Sequence, residues 1–88
     1  MTIKDTFVLQ QIDDENIVVP IGPDAERLHG IIKLNEAGVL LWNILSEKNV
    51  GVDQLVNELI KEYQIDSSVA KKDVDLFLDE MKELGCIE

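Results

Sequence analysis

The stretch Leu34-Asn35-Glu36-Ala37-Gly38-Val39-Leu40-Leu41-Trp42-Asn43-Ile44-Leu45-Ser46 decides the fold. Asn35 is a helix N-cap, because its side-chain oxygen can accept from the unpaired N–H groups of the first turn. Glu36 places a negative charge where the helix dipole favours one. Ala37, Val39, Leu40, Leu41, Trp42, Ile44 and Leu45 then make the segment apolar on most of its faces. A surface helix carries one apolar stripe, whereas a helix apolar nearly all round is packed on several sides. This helix is therefore expected to be the hub of the domain.

Upstream of the hub the pattern is β. Phe7–Ile12 and Ile17–Ile21 read as strands, joined by the turn Asp13-Asp14-Glu15-Asn16. Pro20 cannot donate to a ladder and marks an edge or a strand end, and Gly22-Pro23-Asp24 is a strong turn. Leu28–Leu34 reads as a third strand. Leu28, Ile32 and Leu34 point to one face, the core, and His29, Ile31 and Lys33 to the other. Gly30 leaves room for close backbone approach. The strand runs into the Asn35 cap without a loop.

Downstream the period changes to that of helices. Lys48–Gly51 breaks the hub. Val52, Leu55, Val56, Leu59, Ile60 and Tyr63 then recur at helical spacing. Asp66 caps a third helix whose buried stripe is Ala70, Val74, Phe77, Leu78, Met81 and Leu84, with Gly85 at its C′ position. Cys86-Ile87 adds a last extended piece. Three antiparallel strands followed by three helices make an α+β domain with a winged helix-turn-helix-like outline, a single unit spanning residues 1–88.

The chain has 88 residues and a formal net charge of −10. A domain this small has little room for both a core and a large active-site cavity. No apolar run is long enough to cross a membrane, and Met1–Asp5 lacks the apolar region of a signal peptide. The expectation is a cytoplasmic domain. The single cysteine, Cys86, excludes an internal disulfide and a cysteine-based zinc site. The acidic balance removes the general phosphate attraction on which nucleic-acid binding depends.

Catalysis is not expected. His29 is the sole histidine, so no hydrolytic triad can be assembled without it, and it reads as a surface strand residue. The carboxylates are scattered over solvated helix faces. Asp13-Asp14-Glu15 lacks the spacing of a calcium loop, there is no glycine-rich phosphate loop, and no base lies near Cys86 in sequence. No metal or cofactor is expected. What remains is a binding surface. A three-stranded sheet has edges, and an exposed edge can accept an extended peptide as one more strand. The strand at 28–34 offers such an edge, with His29, Ile31 and Lys33 on its non-core face. An edge covered by a chain terminus or by a second copy of the domain is an equal alternative on chemistry alone.

The string Leu34-Asn35-Glu36-Ala37-Gly38-x-x-x-Trp42-x-x-Leu45 resembles the signature of the PqqD-like family, as does Val52-x-x-Leu55-Val56-x-x-Leu59-x-x-Glu62-Tyr63. The likeness continues through Asp66, Asp73-Val74, Phe77-Leu78 and Leu84-Gly85-Cys86-Ile87, and so covers residues 28 to 88. The resemblance implies a peptide chaperone, also termed a RiPP recognition element. Such a domain binds the leader of a ribosomally made precursor peptide and presents it to a modifying enzyme, often a radical SAM maturase. It also implies that the leader pairs with the third strand, at His29, Gly30, Ile31, Ile32 and Lys33. The other wall of the cleft would be the third helix, through Lys71, Val74, Asp75, Leu78 and Lys82. The alternatives are a winged-helix DNA-binding regulator, whose third helix would enter the major groove, and a structural module dimerising through its free edge. The protein is expected as a monomer or homodimer.

Overall fold

The computed structural model describes residues 1–22 and 32–87. Its elements are β1 (Phe7–Ile12), β2 (Glu15–Pro20), β3 (Ile32–Leu34), α1 (Glu36–Glu47), α2 (Val52–Tyr63) and α3 (Ser67–Leu84). The strands form one antiparallel sheet in the order β1-β2-β3. This is the expected α+β arrangement of three strands and then three helices.

The β1–β2 hairpin is tighter than its composition implies. Ile12 pairs with Glu15, so only Asp13 and Asp14 form the loop, and Asp13 takes a left-handed φ of 55°. Aspartate tolerates that conformation better than most residues. Pro20 ends β2, where it interrupts no further pairing. β2 is the central strand, and its Ile17 and Val18 are both buried. β3 pairs with β2 through Asn16–Leu34, Ile17–Lys33 and Val18–Ile32. The expected strand at 28–34 is thus seen as Ile32–Leu34, and its positions 28–31 lie outside the described residues.

Helix α1 is the hub. Gly38, Leu41, Trp42 and Leu45 are buried, while Ala37, Val39, Leu40 and Ile44 are half-buried. The Asn35 side chain accepts from the Gly38 N–H at 2.8 Å. Gly38 suits this close packing: a Cβ there would stand 3.2 Å from Asn35 Oδ1 and 3.3 Å from the Leu34 side chain, so those side chains would have to give way. The cap therefore ties the end of β3 directly to the first turn of α1.

Helix α2 contributes Leu55 and Leu59 to the core, and α3 contributes Ala70, Val74, Phe77, Leu78 and Met81. Tyr63, which recurs at helical spacing with the apolar residues of α2, is 39% exposed. Helix α3 closes with Gly85 at φ 77°, its N–H bonded to Lys82 O while Cys86 N–H reaches back to Met81 O. This is the paired arrangement of a Schellman cap. Asp66 occupies the N-cap position of α3, but its side chain makes no capping bond.

The first five residues, which carry no secondary-structure signal, hold three parts of the fold together. Ile3 N–H donates to Leu45 O (3.3 Å), Lys4 N–H donates to Cys86 O (2.9 Å) and Val50 N–H donates to Met1 O (3.2 Å). Ile3 also pairs with Ile87 in an isolated antiparallel bridge.

Candidate peptide-binding cleft

Among the described residues, β3 has a neighbouring strand on one side only. It is an edge strand, and among the described residues Ile32, Lys33 and Leu34 make no backbone bond outside their ladder with β2. An edge of this kind presents main-chain donors and acceptors in a row. Beside it lies a cleft of about 210 Å³ between β3, the start of α1, and α3. Leu34, Ala37, Gly38, Leu41 and Phe77 make its apolar lining. Lys33, Asp73 and Glu80 set charges around it, and Leu76 contributes a side chain that is 58% exposed. Such a site offers main-chain pairing along the strand and an apolar trough for the side chains of the guest.

The residues expected at this site from sequence divide into three groups. His29, Gly30 and Ile31 lie outside the described residues. Ile32 and Lys33 stand on β3, with Ile32 half-buried and Lys33 exposed, its ammonium 2.9 Å from Glu15. The α3 set is not brought to the cleft. Val74 and Leu78 are buried in the core, so their side chains are occupied with packing rather than available to a guest. Lys71 and Asp75 pair with each other at 2.8 Å across one turn, and Lys82 is exposed; none of the three lines the cleft.

The reason is geometric. The buried stripe of α3 runs 70-74-77-81, with steps of four, three and four. One residue ahead runs 69-73-76-80, and one residue behind runs 71-75-78-82, each with the same steps. At about 100° per residue these two flanks lie on opposite sides of the buried stripe. Position 78 is close enough to the core to be buried as well. The cleft is lined from the 73-76-80 flank, whereas the sequence reading placed it on the other. Asp73, Leu76 and Glu80, which line the cleft, were not among the residues expected there from sequence. A signal was present: Val69 and Leu76 are apolar but off the buried stripe, and both are exposed.

The exposed side of α3 also bears on DNA binding. Asp73, Asp75, Asp79, Glu80 and Glu83 outnumber Lys71, Lys72 and Lys82. A helix of net negative charge is poorly suited to a phosphate-lined groove. Cys86 carries no sign of reactivity. It is fully buried, its thiol contacts Met81 O at 3.4 Å, and burial raises its pKa from 9.0 to about 11. A thiol held in its protonated form is a poor nucleophile. No described helix is long and apolar enough to cross a membrane.

Comparison with known proteins agrees with this fold. The family of coenzyme PQQ synthesis protein D (PqqD) matches residues 12–87. The chain belongs to the PqqD family. No curated protein sequence matches the chain. Among solved structures, TbiB1, determined in complex with the TbiA(beta) leader peptide, superposes with a TM-score of 0.76 at 24% identity. The match covers 100% of this chain and 95% of that one. At this identity the likeness speaks for the fold, so the PqqD domain and TbiB1 share the arrangement of three strands and three helices.

Proposed function

We propose that this PqqD-family domain is a non-catalytic adaptor. It binds the leader of a ribosomally made precursor peptide as an added strand on β3 and presents it to a modifying enzyme, a radical SAM maturase being the expected class. The observation that carries this reading is the edge of β3, with which no other described strand pairs, lying directly beside an apolar cleft. Strand addition draws affinity from main-chain bonds and selectivity from side-chain pockets, and both halves are adjacent here. Family membership supports a role in peptide-derived cofactor or natural-product synthesis, and the leader complex of TbiB1 supports the ligand class.

Titration with the leader peptide encoded beside the domain's gene tests the proposal. Binding is expected to slow hydrogen exchange at the amides of Ile32–Leu34. Leu76→Asp is expected to weaken binding at least about tenfold, since it sets a charge beside buried guest side chains. Leu76 is exposed, so the thermal midpoint should hardly move. A leader that fails to bind at high micromolar concentration, or that binds Leu76→Asp and wild type equally, would overturn the reading.

A further inference from the structure

A second, broader groove of about 530 Å³ adjoins the first. Leu59, Ile65, Val69 and Tyr63 provide its apolar lining, and Asn35, Ala37 and Asp73 are shared with the cleft beside β3. Of the large apolar side chains exposed among the described residues, Tyr63 and Val69 lie here and Leu76 borders the neighbouring cleft. The 69-73-76-80 flank of α3 thus runs along both depressions. At a rise of about 1.5 Å per residue it spans roughly 16 Å, the length of about five extended residues. The described part of β3, Ile32–Leu34, is shorter than that length. At Asn35 the backbone turns into the α1 cap, and the ladder ends.

We propose, building on the adaptor reading, that the groove at Tyr63, Ile65 and Val69 is a second anchoring subsite for the same peptide. It receives a bulky apolar side chain from the part of the guest that has passed the end of β3. The charges around it state what flanks that anchor. Glu36 and Asp73 line the groove and Glu80 lies farther along the same flank; none of the three forms an ion pair with another described residue. Together with the net charge of −10, they favour a lysine or arginine next to the apolar anchor. Specificity then comes from two places: strand pairing fixes the register, and this apolar-basic pair selects among sequences able to pair.

The test uses a displayed library of random peptides about twelve residues long as the probe, with selected sequences resynthesised and titrated by fluorescence anisotropy. Selected peptides are expected to share a bulky apolar residue beside a lysine or arginine. Replacing that apolar residue with alanine, or introducing Val69→Lys, should each weaken binding about tenfold. The two changes together should cost little more than either alone, because they remove one contact. Peptides that respond to Leu76→Asp but not to Val69→Lys would overturn the second subsite and leave the adaptor reading standing. Failure of any library peptide to bind would overturn both. Concentration-dependent self-association that Val69→Lys abolishes would assign the groove to a second copy of the chain, and would also overturn the proposal.

Discussion

Asn35 stands at the junction of every part that matters to the site. It ends β3, caps α1 and lines both depressions. Its side-chain bond to Gly38 N–H satisfies a donor that is otherwise left open at a helix start. Asn35→Ala is expected to cost about 1 kcal/mol, read as a lower urea midpoint at unchanged slope. Gln64 presents the opposite case. It closes α2 in the left-handed region, at φ 53°, with its N–H bonded to Ile60 O. A side chain there costs about 1 kcal/mol relative to glycine, so Gln64→Gly should raise the midpoint. Cys86 makes stability depend on pH in one direction. Its folded-state pKa, about 11, lies above the ordinary 9.0 because burial opposes the thiolate. The folded state holds the proton more tightly, so this contribution is intact below pH 9.0 and is lost as pH rises toward 11. Urea midpoints across that range should fall more steeply for the wild type than for Cys86→Ala.

At the scale of elements, the helices were legible because their signals are local. The Asn35 cap, the Lys48–Gly51 break and Gly85 all mark real ends, since capping is settled within a few residues. The hairpin was legible as well, although its loop is only Asp13-Asp14. Which flank of α3 lines the cleft was not legible. A 3.6-residue period identifies a buried stripe but treats its two flanks as equivalent. Only the position of β3 and the start of α1 makes Asp73, Leu76 and Glu80 line a cleft while Lys71, Asp75 and Lys82 do not. On the strand side, the short step from Leu34 to the Asn35 cap leaves β3 little freedom relative to the hub helix, which places Lys33 and Leu34 at the cleft.

For the whole molecule, the segment ahead of β1 matters more than its sequence indicates. Met1, Ile3 and Lys4 reach the end of α1, the α1–α2 connection and the residues after α3 by backbone bonds to Val50, Leu45 and Cys86. Met1 and Ile3 also pack against the core. Deleting residues 1–5 removes three such bonds, each worth about 1 kcal/mol net, along with apolar contact. The expected loss is at least about 3 kcal/mol, a large share of the stability of a domain this size, and is read as a drop in thermal midpoint. Truncation that left the midpoint unchanged would show these bonds to be inconsequential.

By itself, the amino-acid sequence determined the order of elements, the capped hub helix and most of the buried stripes, because each follows from short-range periodicity and capping chemistry; the class of function was legible only through the resemblance of its motif string to the PqqD-like family. Only the tertiary structure decided which flank of α3 borders the open edge of β3, that Tyr63 stands exposed beside a second groove, and that residues 1–5 lock the ends of the helices. Those features depend on contacts between segments far apart in the chain, and a local pattern carries no information about which distant surface it will meet.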